Sequence, residues 1–122
     1  MDIFDEQAAL YKALSHPVRL AILEILRDGE ECVCHMEAAL GLRQAYISQQ
    51  LMVLRDAGLV QDRRDGWNIF YQVVNPQIYP VLDAARAALG ENEATSIAEL
   101  AALDISSTCT CPKCSVADSV NS

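Results

Sequence analysis

The spacing of apolar residues changes once along the chain, from a helical period to a strand period, and this change most constrains the fold. In the first half, Leu20, Leu23 and Leu26 recur at three-residue intervals, as on one face of a helix. Further on, the runs LVQDRR and WNIFYQVV are short and rich in β-forming residues. They flank Asp65-Gly66, a dipeptide typical of hairpin turns. The chain is therefore predicted to place several helices before a β-hairpin.

Breaks in the helical pattern divide the first half into four predicted helices. The SHP at residues 15–17 interrupts the first, since the residue before a proline disfavours helical backbone. Gly29 is predicted to end the second in the left-handed conformation. Gly41 marks a turn between a short third helix, CHMEAAL, and a longer fourth, RQAYISQQLMVLRDAG. The fourth helix is expected to end at Gly58 and to bury an apolar stripe: Ile47, Leu51 and Leu54.

Two more helices are predicted after the hairpin. Asn75-Pro76 suits an N-cap and first turn, and this helix is expected to run to Gly90. Ser96 and Glu99 fit a capping box for a last short helix, IAELAAL. The whole order predicts a mainly α fold with a β-hairpin wing, a winged helix-turn-helix. A small α+β domain with a chance hairpin is the simpler alternative.

Length and composition predict one domain. The chain has 122 residues, of which 52% are apolar. Residues 1–103 are predicted to form that domain, and residues 104–122, rich in Ser and Thr, a flexible cysteine-containing tail. No apolar run approaches the ~18 residues of a membrane span, and the N-terminus, MDIFDEQAAL, lacks the basic region of a secretory signal. We therefore expect a cytoplasmic protein with no membrane partner.

The charge is unevenly distributed. The chain carries a net charge of -8, yet residues 40–71 hold four Arg against three Asp, a local balance of +1. The other residues then account for -9. An acidic body with one arginine-bearing segment is compatible with DNA binding by that segment.

The fourth helix has the pattern of a DNA-reading helix. At ~100° per residue, Gln44, Ser48 and Arg55 fall within one arc that lies away from the apolar stripe. Gln and Ser are residue types that bond base edges or phosphates, and arginines at a hairpin tip reach the DNA backbone. A merely solvated helix face is the alternative. The candidate DNA-contacting residues are Arg43, Gln44, Ala45, Tyr46, Ser48, Gln49, Arg55, Arg63 and Arg64.

Three stretches together resemble the ArsR/SmtB family of metal-responsive repressors: LSHPVRLAILEIL, QLMVLRDAGLV and RRDGWNIFYQV. The resemblance runs from about residue 8 to residue 90. It implies a homodimer, built from the first and the late helices, that binds a palindromic operator in double-stranded DNA when metal-free. Metal binding then weakens DNA affinity. Gln49 and Gln50 replace a common His pair of the family, which leaves the operator sequence open.

The stretch ECVCHME resembles the metal box ELCVCDL of the same family. By that resemblance, Cys32 and Cys34 are the first two sulfur ligands of a metal site. Residues two apart on an ideal helix point ~200° apart, so chelation by both requires a loosened first turn. A helix N-terminus also favours the thiolate form that metal binding needs.

Two thiolates are too few for a tight soft-metal site, so the cysteines of CTCPKC are expected to complete it: Cys109, Cys111 and Cys114. They belong to the same subunit or to its partner. Thiolate-rich sites select soft ions, and the expected inducer is As(III), Cd(II) or Pb(II), with no organic cofactor. The family's zinc site in the late helix needs Asp-x-His, whereas here Asp83 is followed by Ala84 and Ala85. A zinc sensor of that type is therefore not expected.

Other readings of the cysteines and aromatic residues remain open. A thiol-redox or persulfide sensor, which uses two distant cysteines, is an alternative, although five thiols in two clusters exceed what that mechanism needs. A structural zinc site is another alternative. No catalytic set is readable, so an enzyme is not expected. His16 is expected to form an interhelix hydrogen bond and His35 to face solvent. The aromatic side chains of the hairpin are expected to serve packing: Trp67, Phe70 and Tyr71.

Overall fold

The computed structural model describes residues 2–90, which begin with three helices around a short strand. Helix α1 spans Ile3–Leu14, and α2 spans Pro17–Ile25. A 3₁₀ turn, Leu26–Asp28, follows α2. Strand β1 is only two residues long, Glu31–Cys32, and leads directly into α3, Val33–Leu40.

The second half contains the long helix, the hairpin and the last described helix. Helix α4 spans Gln44–Asp56. Strands β2, Val60–Asp65, and β3, Asn68–Val73, form the hairpin, and α5 spans Ile78–Ala88. The sheet is antiparallel in the order β1-β3-β2, so the hairpin's second strand lies in the middle. These elements form a winged helix-turn-helix, as predicted, with α3 and α4 as the helix-turn-helix.

One hydrophobic core joins the helices to one face of the sheet. The predicted stripe of α4 is confirmed, because Ile47, Leu51 and Leu54 are fully buried. Around it pack side chains from every helix and from β2 and β3, among them Leu14, Ile22, Leu23, Leu26, Met36, Val60, Tyr71, Ile78 and Tyr79. The core therefore holds the exposed face of α4 in a fixed position.

Three glycines follow helices as expected, Gly41, Gly58 and Gly90, but Gly29 does not. Gly41 adopts the left-handed conformation after α3, and Gly58, with a φ of 79°, follows α4. Gly29 has a φ of 145° and a ψ of -172°, which is not left-handed helical. The prediction for Gly29 was wrong because the 3₁₀ turn already ends α2.

Two boundaries after α4 also differ from the predictions. The hairpin pairs Asp65 with Asn68, so its two central residues are Gly66 and Trp67, one position later than expected. Helix α5 begins at Ile78, and its N-cap is Gln77. Asn75 instead accepts a hydrogen bond from the Gln77 N–H at 3.0 Å, forming a turn before the helix. The predicted capping box at residues 96–99 and the domain boundary at residue 103 lie outside the described residues.

Charged side chains attach α5 to the end of α2. Arg27 donates to both carboxylate oxygens of Glu24, at 2.8 and 2.9 Å, and to both of Asp83, at 3.1 and 2.7 Å. The hydrogen bonds from Arg27 hold the pKa of Asp83 below its ordinary value. The Tyr79 hydroxyl donates to the Leu23 carbonyl at 2.6 Å. Asp83 therefore serves as an ion-pair partner that fixes α5.

Among residues 2–90, no helix has both the length and the apolar character that crossing a bilayer requires.

Candidate nucleic-acid interface and thiol site

The reading arc of α4 is exposed as the helical spacing predicted. Gln44 is exposed at the first turn of α4, and Ser48, one turn later, is half-buried. The other candidate contacts on or next to α4 are all exposed: Arg43, Ala45, Tyr46, Gln49 and Arg55. Arg43 is the N-cap residue, so its side chain lies beside the start of the helix. One face of α4 is thus available to DNA.

Hydrogen bonds from α2 fix the orientation of α4. The His16 Nδ1 accepts from the Val18 N–H at 3.1 Å, so the proton of the neutral ring lies on Nε2. Nε2 lies 3.2 Å from the Tyr46 hydroxyl, which confirms the interhelix role of His16. Arg19 donates to the Gln50 Oε1 at 3.1 Å, and Gln50 is buried. Gln50 therefore supports α4 from inside, whereas Gln49 belongs to its exposed face.

The two wing arginines lie on opposite faces of the hairpin. Successive strand residues alternate between faces, so Arg64 shares a face with Asp62, which pairs with Arg55 of α4 at 3.6 Å. Arg63 lies on the other face, where its Nε and Nη2 donate to the two carboxylate oxygens of Glu30 at 2.9 and 2.7 Å. These hydrogen bonds raise the pKa of Arg63. Of the two wing arginines, Arg64 is therefore the one on the hairpin face that is directed toward α4.

Cys32 belongs to a small cluster on the face of the sheet that carries Arg63. Phe70 is paired in register with Arg63 on one side and with Cys32 on the other, so the three share a face. We call this face the outer face. Cys32 is 1% exposed and Phe70 3%, and the Arg63 guanidinium lies 4.8 Å from the Phe70 ring centroid. The Glu30–Arg63 ion pair therefore spans the sheet over Phe70.

The backbone at Cys32 is extended, with a φ of -86° and a ψ of 161°. Cys32 is the last residue of β1 and the N-cap of α3, and its Sγ accepts from the His35 N–H at 3.3 Å. Cys32 therefore lies before the helix, and the angle of ~200° between side chains two apart on an ideal helix does not apply to Cys32 and Cys34. The two thiols are not joined in a disulfide.

Cys34 faces a cavity between α3, α4 and the wing. Its side chain is half-buried and packs against the cluster of Cys32 and Phe70. The cavity has a volume of about 140 Å³. It is lined by residues from all three elements: Cys32, Val33, Cys34, Glu37, Gln44, Ser48, Trp67, Asn68, Ile69 and Tyr71. The structure thus brings the candidate thiols together with two candidate DNA-reading side chains.

The described part of the chain holds two of the predicted ligands, Cys32 and Cys34. His35 was expected to face solvent, but its side chain is only 21% exposed, and its Nδ1 lies 3.8 Å from a Glu31 carboxylate oxygen. Within residues 2–90, no group of three or more His, Cys, Asp or Glu side chains could hold a metal ion. The three predicted tail ligands lie outside these residues: Cys109, Cys111 and Cys114.

Trp67 is a candidate functional residue that the sequence interpretation missed. Phe70 and Tyr71 are buried, as expected, but Trp67 is 100% exposed at the tip of the wing. The expectation that it packs was wrong because Trp67 is a central residue of the hairpin loop. Asp65 and Asn68 are paired, so the two-residue loop is Gly66-Trp67 rather than Asp65-Gly66. A loop counted in this way places Trp67 at the tip. A fully exposed Trp on a wing fits an interaction surface.

Comparisons with known proteins agree with this architecture. A model of the arsR family of bacterial regulatory proteins matches residues 16–62. A biofilm growth-associated repressor of Agrobacterium fabrum is 43% identical over 82 residues, which cover 67% of this chain and 70% of that protein.

Two solved structures extend the likeness to the fold. The crystal structure of Rv0081 from Mycobacterium tuberculosis has 37% identity and a TM-score of 0.65, and the match covers 74% of this chain and 91% of that one. The solution structure of the homodimeric winged helix-turn-helix DNA-binding domain Mb0332 of Mycobacterium bovis has 27% identity and a TM-score of 0.64, covering 75% and 89%. This chain belongs to the arsR family: it is a winged helix-turn-helix, DNA-binding transcriptional repressor and not an enzyme.

Proposed function

We propose that this repressor binds operator DNA as a homodimer in the cytoplasm and is released when a thiophilic metal or metalloid ion binds its cysteines. The inducer is As(III), Cd(II) or Pb(II). The ligands in the described residues are Cys32 and Cys34, and the tail supplies Cys109, Cys111 and Cys114. The observation that carries the proposal is that both described thiols lie at the start of α3, the first helix of the helix-turn-helix.

The donor set favours soft ions. Thiolates prefer soft metals and metalloids, whereas the nearby Glu37 and His35 offer harder donors. Two thiols alone leave a soft ion undercoordinated, so the tail cysteines are needed to complete the site. The position of Cys32 at a helix N-terminus favours its thiolate. Because the Cys32 side chain is only 1% exposed, ligation there requires a shift of β1 or Phe70.

Exposed apolar side chains support a homodimer. Ile3 and Phe4 of α1 are 67% and 77% exposed, and Leu89, just after α5, is 83% exposed. Side chains of this size and exposure fit an interface between subunits. The domain Mb0332, which has the same fold, is homodimeric. A dimer also presents two copies of α4 to two half-sites of an operator.

A thiol-redox or persulfide sensor is the second candidate. It is favoured by the unequal burial of the two described thiols. A buried thiol beside a more accessible one suits stepwise oxidation or persulfide transfer. This mechanism needs no tail ligands. Thus the two candidates differ in the chemistry of the inducer but use the same position in the fold.

Operator binding, followed by fluorescence anisotropy with reduced protein, tests both candidates. As(III), Cd(II), Pb(II) and a persulfide donor are added in separate titrations. The proposal predicts release by one or more of the ions, and release that is lost in Cys34→Ser. If only the persulfide donor or an oxidant releases the operator, the second candidate replaces the first. If nothing releases it, the thiols are structural and both candidates are wrong.

Cys32→Ser separates sensing from DNA binding. Ser at the N-cap also accepts the hydrogen bond that the Cys32 Sγ receives from the His35 N–H, so the start of α3 is preserved. We expect this variant to bind the operator as the native protein does when no metal is present, and to lose the metal response. Loss of operator binding without metal would show that Cys32 serves the fold instead.

A further inference from the structure

We propose that Trp67, at the tip of the wing, enters the minor groove of the operator and selects A·T over G·C base pairs there. Trp67 thereby adds a sequence preference to that of the reading helix, through an apolar side chain that the predicted DNA contacts do not include. The inference rests on operator binding, which is part of the proposed function, and does not depend on any inducer.

The fold itself gives Trp67 nothing to pack against. Its side chain is 100% exposed, more than any other large apolar side chain of residues 2–90, of which Leu89 follows at 83%. Leu89 lies just after α5, where the subunits are proposed to meet, whereas Trp67 belongs to the wing. An indole offers roughly 150–250 Å² of surface for burial. A side chain of this kind, left wholly in solvent, indicates a contact outside the protomer.

The hairpin turn holds Trp67 in a defined position. Gly66 has a φ of 62°, and no residue other than glycine has a positive φ among residues 2–90, so Gly66 alone supplies the left-handed conformation of the turn. Hairpin turns with Gly at the first central position leave the second free for a large side chain. A Trp side chain has only two rotatable angles, so fixing it against a partner costs little entropy. The turn is therefore a firm support for an inserting ring.

Trp67 lies on the side of the wing that faces the reading helix. It lines the cleft between the wing and α4, and Gln44 and Ser48 of the reading arc line the same cleft. An element beside a helix that occupies the major groove reaches the adjacent minor groove. The indole is therefore directed toward the minor groove next to the bases that α4 contacts.

The charges of the wing leave room for an apolar contact. Residues 60–73 contain two arginines and two aspartates, which give no net charge. Arg63 is engaged by Glu30, and Asp62 lies 3.6 Å from Arg55. Attraction to phosphates grows with the number of cations that neutralise them, so this wing gains little from electrostatics. Burial of the Trp67 ring supplies binding that the charges do not.

The indole ring complements A·T pairs chemically. Its Nε1–H is a hydrogen-bond donor with no acceptor. In the minor groove an A·T pair presents only acceptors, whereas a G·C pair adds the donor amino group of guanine. At G·C the two donors oppose each other, and the amino group also fills the space that the ring would occupy. Apolar side chains in the minor groove also unstack base steps, and TA steps deform most easily. The preferred site is thus an A·T step.

The first test uses the fluorescence of the native full-length chain, in which Trp67 is the only Trp. An operator duplex is recovered from a random pool by binding to this protein. Acrylamide quenching of Trp67 is then measured without DNA, with the operator and with a scrambled duplex, at a salt concentration where only the operator is bound. We expect the operator to lower the quenching constant severalfold. An unchanged constant at saturating operator would overturn the inference.

The second test measures affinity with Trp67→Ala. We expect the Kd for the operator to rise by about tenfold, as for truncation of a central aromatic contact, with no change in its salt dependence because no phosphate contact is lost. The fold should be unaffected, since the side chain is wholly exposed, and denaturation verifies this. The matched control on the same wing is Arg64→Ala, which should lower the salt dependence instead. An unaltered Kd for folded Trp67→Ala would refute the contact.

The third test alters only the minor groove of the operator. Replacing adenine by 2,6-diaminopurine adds an amino group there and leaves the major-groove edge as it was. At the pairs under the wing this should raise the Kd of the native protein by about fivefold or more. Inosine in place of guanine removes the same amino group and should lower the Kd of a G·C-substituted operator. Both effects should vanish in Trp67→Ala. Effects of equal size in the variant would show that Trp67 does not provide the selectivity.

The outcomes separate this inference from the proposed function. Failure to recover any bound duplex would contradict operator binding and the inference together. Equal binding of a recovered operator by the native protein and by Trp67→Ala would refute the inference alone. A change of oligomeric state in Trp67→Ala, with the affinity per dimer preserved, would assign the ring to a contact between protein chains and likewise refute it.

Discussion

The two faces of the three-stranded sheet belong to different parts of the molecule. The face that carries Ile69, Tyr71 and Val73, the inner face, packs into the main core with α4. The outer face carries Cys32 and Phe70, which form a separate cluster beneath the Arg63–Glu30 ion pair. One face is held by many buried side chains, and the other by two buried side chains and a surface ion pair.

This difference indicates how a thiol can change without unfolding the domain. Net contributions of exposed ion pairs are small, about 0.2–1 kcal/mol, whereas loss of a core Leu costs about 2–5 kcal/mol. Opening the cluster of Cys32 breaks one ion pair and exposes two buried side chains, which costs less than opening the many-membered core that positions α4. The inner face provides a fixed DNA-reading helix, and the outer face provides a segment that can move.

The largest effect is expected from Phe70→Ala. Removal of a buried Phe side chain should lower the free energy of unfolding by about 3–5 kcal/mol and expose Cys32. Chemical denaturation measures the first effect, and peptide-resolved alkylation under native conditions the second. The matched control is Leu54→Ala on the core side, which should cost about 2–5 kcal/mol but leave Cys32 protected in the folded protein. If alkylation of Cys32 were accelerated equally in both variants, the two faces of the sheet would open together.

The stability of the main core, which contains Tyr71 and Tyr79, should fall at alkaline pH. Burial, with a smaller contribution from Glu24, raises the pKa of Tyr79 to about 12, and burial raises the pKa of Tyr71 as well. The unfolded tyrosines lose their protons first, near pH 10, so the unfolded state binds fewer protons above that pH. Stability should therefore be retained below pH 10 and should fall by on the order of 2 kcal/mol by pH 12.

Denaturation at several pH values, with Tyr79→Phe as the control, measures this effect. The variant starts from a lower stability because it lacks the hydrogen bond to the Leu23 carbonyl, but its pH profile should be flatter between pH 10 and 12. A profile as steep as that of the native protein would contradict the assignment to Tyr79.

The two wing arginines should differ in their contribution to DNA binding. Arg64→Ala should weaken operator binding and lower the dependence of log Kd on log salt by about 1 per protomer, because one phosphate contact is lost. Arg63→Ala should leave that dependence unchanged, since Glu30 already engages the guanidinium on the outer face. Anisotropy titrations at several salt concentrations measure both. The reverse order of effects would place the outer face, rather than the side of α4, against the DNA.

The smallest effect is expected from Glu30→Gln. The change removes an exposed ion pair and should lower the free energy of unfolding by about 0.2–1 kcal/mol. It should nevertheless speed alkylation of Cys32, because the pair spans the sheet over Phe70. Peptide-resolved alkylation measures the rate, and Asp65→Asn, which removes a 3.9 Å contact to the same Arg63, is the control. An unchanged rate at Cys32 would show that the pair does not restrain the cluster.

The sequence predicted the features that depend on local spacing. The stripe of Ile47, Leu51 and Leu54 follows from the helical period, and the exposed arc of α4 follows from the same period. Likewise, the break at residues 15–17 follows from the restriction that a proline imposes on its neighbour. Local rules suffice for these elements because each is set by residues within one or two turns.

The features that depend on contacts distant in sequence could not be predicted. Strand β1 has only two residues and exists because it pairs with β3. The ion pair between Glu30 and Arg63 joins residues 33 positions apart. The cavity likewise combines Cys34 with the wing tip. Trp67 was misassigned because a shift of one residue in the turn moves a side chain from packing to full exposure.

Metal affinity measured on the free protein and on the operator complex tests the central claim most directly. If a thiophilic ion and the operator compete through α3 and α4, each must weaken the binding of the other by the same factor. Competition titrations with Cd(II) and a chelating dye should give an affinity about 5–150-fold lower on the operator complex, and operator affinity should fall by that same factor with Cd(II) bound. Equal Cd(II) affinities with and without operator would contradict the claim that the thiols control DNA binding.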